Sequence, residues 1–176
     1  MFRFIFLLCF ISSLQADDLF RKFDVKRDWR LAKKSEFNYV GVKYGKNSVS
    51  LGTKHTAEPH YLTLSTEKEL EVGQIYELQI SIKAKGEGNL SILYVGKGEM
   101  GSGAVVHPRG LHVRISPQEN EKVYRFCFKV TKKKSSNLKS FFQVMLGGYK
   151  GEIRLSDIKL VKSKHEGSIP PKGLAL

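Results

Sequence analysis

The chain has 176 residues, 41% hydrophobic and 27% charged, which suits one ordinary globular domain and excludes both a disordered polymer and a multi-span membrane protein. Two cysteines cannot build a disulfide scaffold or a zinc finger. Thirty Lys and Arg against 17 Asp and Glu leave a formal net charge of +13, which directs attention to acidic partners.

Residues 1–16 read MFRFIFLLCFISSLQA: a positive start at Arg3, an apolar run over 4–14, and a small residue at Ala16. That layout predicts a secretory signal peptide cleaved after Ala16, too short to span a bilayer, which needs about 20 residues. The expected product is secreted, or held in the periplasm or cell envelope. Cleavage removes Cys9 and leaves Cys127 as the single thiol. Within VYRFCFKV, Cys127 alternates with aromatic residues and reads as strand filler rather than a reactive centre.

Residues 19–31 suit either a short helix or an extended segment, and Trp29 lies among their charges. Segment 39–45 places Tyr39 and Tyr44 in a basic, glycine-bounded stretch. Short strands are predicted at 48–51 and 61–65. At 76–85, Tyr76, Leu78, Ile80, Ile82 and Ala84 alternate with polar residues, the pattern of a strand with one buried face. A further strand is expected at 89–95. Residues 96–110 (GKGEMGSGAVVHPRG) carry five glycines and read as a long loop holding Lys97, His107 and Arg109. Alternation resumes at 111–115 and 123–130, followed by strands at 140–146 and 151–162. In the last of these the apolar parity slips at Ser156-Asp157, as at a β-bulge, so Asp157 would bind either backbone amides or a cation. Residues 163–176 are read as a mobile tail. Some eight short strands separated by glycines or polar clusters, with no sustained helical stripe, indicate a single antiparallel β-sandwich over 17–162.

Three stretches carry a resemblance. LEVGQIYEL at 70–78 is similar to a Gly-x-x-Tyr lead into a long strand, VYRFCF at 123–128 to a later aromatic strand, and GEIRLSDIKL at 151–160 to a closing strand with Asp before two alternating apolar residues. Together they resemble the carbohydrate-binding modules of the CenC-like, galactose-binding-like jelly-roll type. At 122–123, where that family usually has a Trp, this chain has Lys122-Val123. The resemblance implies an all-β jelly roll, a non-catalytic module that binds a polysaccharide, and a structural calcium at Asp157.

Sugars are held by aromatic faces with a few polar groups fixing the hydroxyls. The candidate ligand-binding residues are therefore Trp29, Tyr39, Tyr44, Tyr61 and Tyr94, with Tyr149 as a further aromatic; His107 and Arg109 are added for acidic groups. Each aromatic has an alternative place as a half-buried core ring. The five histidines show no HExxH spacing, there is no GxSxG elbow, and the phosphate-loop order is absent, so neither catalysis nor nucleotide binding is indicated. Basic runs at 26–34, 132–134 and 162–165 are read as solvated faces or, if gathered, a patch for acidic polymers. Export and the lack of a recognition motif argue against nucleic acid. The expected function is recognition of a polysaccharide, including acidic ones, by stacking and Lys/Arg contacts. The alternative is a structural or adhesion protein of the cell envelope held to anionic surfaces by charge.

Overall fold

The computed structural model describes residues 18–20, 25–34, 37–100 and 103–163; the expected signal peptide and the segment from 164 onward lie outside them. In chain order the elements are α1 (Val25–Asp28), β1 (Arg30–Lys33), β2 (Tyr39–Gly45), β3 (Ser48–Thr53), a 3-10 turn (Pro59–Tyr61), β4 (Leu62–Glu67), β5 (Ile75–Gly88), β6 (Leu90–Met100), β7 (Gly103–Ile115), β8 (Lys122–Lys129), β9 (Lys139–Met145) and β10 (Tyr149–Lys162). They form two five-stranded sheets, β1-β4-β9-β6-β7 (sheet 1) and β2-β3-β10-β5-β8 (sheet 2), with every strand pairing antiparallel. This is the β-sandwich of jelly-roll type expected from the alternation. No helix among the described residues is long and apolar enough to cross a membrane.

The alternating residues close the core as their parity requires. Tyr76, Leu78, Ile80, Ile82 and Ala84 of β5 and Tyr124, Phe126 and Phe128 of β8 are all buried. Burying each large apolar side chain contributes about 1.5–3 kcal/mol. An aromatic cluster ties the sheets together: Tyr94 of β6 lies 4.7 Å from Phe142 of β9 and 5.8 Å from Phe128, which in turn lies 6.2 Å from Tyr76. Phe20 closes on Phe142 edge to face at 5.6 Å. Trp29 follows α1, which is only one turn long, and enters the same core with 4% of its surface exposed.

One expectation is corrected. The glycine-rich segment 96–110 is not a loop: β6 and β7 run through it as a hairpin, pairing Gly96 with His107 and Gly98 with Val105. Gly98 serves close packing, since a Cβ there would fall 2.9 Å from the Leu138 side chain. Segment 39–45, for which no element was predicted, is a strand paired with β3 and broken by a bulge between Val40 and Lys43. The bulge expected in the closing strand is present, with the β10–β5 register shifting between Ser156 and Lys159. Asp157 there adopts φ 49°, a left-handed conformation that Asp tolerates better than most residues.

Candidate functional site

The expected stacking residues are mostly built into the sandwich. Trp29, Tyr94 and Tyr149 are buried, and Tyr39 and Tyr61 pack against the core from its margin. Inward parity on the strands decides this, because a tyrosine there contributes its whole ring to the core. Burial also raises the phenol pKa values of Tyr94 and Tyr149. Only Tyr44, of the six, is exposed; it stands opposite inward-facing Val49 at the sheet margin, on the other parity from the outward residues of β2.

His107 and Arg109 are not loop residues free to reach a ligand. His107 is buried, and its Nε2 accepts a hydrogen bond from the Lys134 backbone amide at 3.0 Å. Arg109 is fully buried and is the hub of a structural network. Its Nη1 donates to Glu69 Oε1 at 2.8 Å, to the Tyr94 hydroxyl at 3.2 Å and to Ser140 Oγ, while Nε donates to the Thr131 carbonyl at 3.1 Å. Ser140 Oγ donates onward to Glu69 Oε2, and Lys133 Nζ reaches the same oxygen at 3.2 Å. Partial burial works to raise the Glu69 pKa, but the bonds from Ser140, Arg109 and Lys133 outweigh it and hold the carboxyl below its usual range.

One cation in each basic run has an acidic partner among the described residues: Arg27 with Asp28, Lys133 with Glu69 and Lys162 with Glu71. Glu67, Glu69 and Glu71, two residues apart, pair with Lys139, Lys133 and Lys162 respectively. The pairing with Glu71 raises the Lys162 pKa.

The open site lies on the outer face of sheet 2. A groove of about 560 Å³ crosses this face, floored by β3, β10 and β5 and flanked by Gly41 and Lys43 of β2 and by Glu119 from the β7–β8 connection. The Ala84 amide donates to the Gln118 carbonyl at 3.1 Å, fixing that connection beside β5. The strand register sets the lining. One row across four strands is Lys43, Ser50, Arg154, Lys83; the next is Gly52, Glu152, Lys85. With neighbouring strands about 4.8 Å apart, the first row spans about 14 Å, and the two rows lie about 7 Å apart along the strands. A row of serines, Ser48, Ser156 and Ser81, follows on the other side.

The groove has no aromatic lining residue. It has four basic side chains against two carboxylates. Among the described residues, none of Lys43, Lys83, Lys85 and Arg154 forms a salt bridge, in contrast to the lysines at 133, 139, 150 and 162. Lys83 and Arg154 stand directly opposite on adjacent strands, an arrangement of like charges that destabilises a sheet. Glu119 and Glu152 share the groove, but both are exposed and neither has a protein hydrogen-bond partner, so no desolvated carboxyl is provided for general acid catalysis.

Sequence reading missed this site although its signal was present: Lys83, Lys85, Glu152 and Arg154 are the polar half of the alternation whose apolar half revealed the strands. Asp157 is the residue at which the resemblance implied a structural calcium. The carboxylate is exposed, and no group of three or more His, Cys, Asp or Glu suited to a metal occurs among the described residues. Its left-handed backbone and the bond from its amide to the Asn47 carbonyl account for its position.

No family model matches the chain, and no curated protein matches it. Solved structures do. A CBM4 carbohydrate-binding module superposes with a TM-score of 0.62 at 8% identity, covering 77% of this chain and 86% of that one. The N-terminal cellulose-binding domain of Cellulomonas fimi β-1,4-glucanase C gives 0.56 at 11% identity, covering 78% and 90%. The CBM22-1 xylan-binding domain of Paenibacillus barcinonensis Xyn10C gives 0.50 at 12%, covering 85% and 97%. The chain therefore shares the jelly-roll fold of carbohydrate-binding modules along almost the whole length of each.

Proposed function

We propose that the protein is an exported, non-catalytic carbohydrate-binding protein that takes a polysaccharide chain into the groove on the outer face of sheet 2. The observation that carries the reading is the groove itself: an open channel across four strands, lined by small residues and unpaired polar side chains, on a fold shared with proteins described as cellulose- and xylan-binding. Glycines and serines let a sugar ring approach the sheet closely, and the Lys and Arg side chains donate to its hydroxyl and acidic groups. Stacking plays the smaller part, because the candidate rings other than Tyr44 are committed to the core.

A glycan array probed at low salt and at about 0.5 M salt tests this, since salt screens exposed charge contacts. Binding confined to a set of related glycans, abolished by Ser50→Trp at the groove floor, with no release of reducing sugar from the bound chain, is the expected result. Absence of binding to every glycan, or binding indifferent to Ser50→Trp, overturns it.

A further inference from the structure

Resting on that reading, we infer that the groove selects a linear acidic glycan in which a carboxylate- or sulfate-bearing sugar alternates with an uncharged one. The charges of the lining are neither uniform nor balanced, and their order across the strands is specific. Arg154 and Lys83 are adjacent in the first row and make one compact dication. Lys43 stands at the far end of that row, separated from Arg154 by neutral Ser50. Two strand spacings put the two cationic positions about 10 Å apart. An anionic group at each, with an uncharged unit over Ser50, matches the interval at which an acidic sugar recurs when it alternates with a neutral one.

The carboxylates add the complementary restriction. Glu152 lies between Gly52 and Lys85 in the neighbouring row, and Glu119 stands at the groove wall. A chain carrying an anion on every unit would bring some of them against these two glutamates, and like-charge juxtaposition costs binding. Beyond the cations, Ser156 and Ser81 are buried and Ser156 Oγ donates to Glu121 Oε1 at 3.1 Å, which places a further carboxylate on that side. The opposition of Arg154 and Lys83, with no acidic partner for either among the described residues, is costly in the free protein and is relieved when an anion lies between them.

The test measures binding of the protein to four polymers: hyaluronan as the alternating acidic glycan, polygalacturonate as the uniformly acidic one, a neutral xylan oligosaccharide, and a duplex DNA oligomer as a dense non-glycan polyanion. Hyaluronan is expected to bind tightest. Arg154→Gln and Lys83→Gln should each weaken it by about ten-fold or more, the effect of losing a charge-assisted contact. Both variants should melt no lower than the parent at low salt, because each removes one member of the like-charged pair; this shows that lost binding is not lost folding. Glu152→Gln should strengthen polygalacturonate relative to hyaluronan. Equal binding of hyaluronan and neutral xylan, unmoved by Arg154→Gln, would overturn the acidic-glycan inference while leaving glycan binding in place. Preferential binding of DNA, or of all polyanions in order of charge density, would overturn it in favour of a general polyanion surface. Failure of every glycan would overturn the proposed function itself.

Discussion

The Arg109–Glu69 pair is buried asymmetrically: the Arg109 side chain is 0% exposed and that of Glu69 54%. That asymmetry predicts which partner is the more costly to remove. Glu69→Gln leaves a guanidinium in the core with no anion to balance it. Breaking a buried pair in this way costs about 3–5 kcal/mol. Ser140, Tyr94 and Thr131 still accept from Arg109, which places the expected loss at the lower end, about 3 kcal/mol, or about 6–12 °C in Tm for a domain of this size. Arg109→Met removes the charge and keeps most of the volume. Its former partners are not orphaned: the Tyr94 hydroxyl still accepts from the Leu70 amide and donates to the Lys68 carbonyl, and Ser140 still donates to Glu69. The exposed half of Glu69 keeps its water and its bond to Lys133. The expected cost is about 1–2 kcal/mol, one or two hydrogen bonds. Urea unfolding of the two variants at pH 7 compares them directly. The pH dependence gives a second readout. Glu69 titrates below its ordinary value of 4.5, so its contribution is complete above that pH and is lost as pH falls through the depressed value. The gap between parent and Glu69→Gln should therefore narrow on acidification below pH 4.5. If Arg109→Met proves the more damaging variant, or the gap widens in acid, the charge argument fails and Arg109 acts through packing alone.

Gly151 has φ 132°, and a Cβ there would lie 2.2 Å from the Lys85 carbonyl oxygen and 2.7 Å from the Gly86 Cα. Gly151→Ala should separate β10 from β5 and cost more than about 3 kcal/mol by chemical denaturation, since strain and a backbone clash combine. Cys127 has its thiol pKa raised by burial and by the neighbouring Glu77 carboxylate, so less thiolate is present at pH 8 than in a free cysteine. Its alkylation by iodoacetamide in the folded protein should run slower than that of a cysteine peptide, and a rate equal to the peptide's would contradict this environment. Asp157→Asn should leave Tm unchanged, with or without a chelator, because Asn accepts the same left-handed backbone. A chelator-dependent Tm in the parent, lost in the variant, would restore a metal to this position.

The fold was legible because half of each strand is apolar. The alternation at 76–85 places five side chains on one face, and the structure buries all five. The parity slip at Ser156-Asp157 likewise appears as a shift in the ladder. Two elements escaped for physical reasons. In 96–110 the glycines suppressed any strand pattern, yet Gly98 lies too close to the Leu138 side chain, and Gly110 too close to the Lys129 carbonyl, for a Cβ. In 39–45, at the edge of sheet 2, a bulge interrupts the period of two. Arg109 was read as an exposed ligand because its flanking glycines suggested solvent; nothing local reports that Glu69, Tyr94 and Ser140, distant in sequence, converge on it.

The same parity that made the core visible concealed the groove. A sandwich of this kind has two sets of outward positions on which to build a site, and the identity of those residues is independent of the inward set that holds the sheets together. Here the aromatic residues went inward: Tyr76, Tyr94, Tyr124, Phe126, Phe128 and Phe142 supply the rings of the core. The outward positions at the groove were left to Lys43, Ser50, Lys83, Lys85, Glu152 and Arg154. Placing Lys83 opposite Arg154 contributes nothing to the core and weakens the sheet, whereas the opposite-sign neighbours Glu152 and Lys85 show that the same face can accommodate a favourable pair one row away. The unfavourable pair is therefore best explained by what it meets from solvent. A groove without rings has little to offer the apolar face of a neutral sugar, and four cations without salt bridges have much to offer an anion. On the proposed reading, the jelly roll supplies the channel, while the charge order along two register rows selects the polymer.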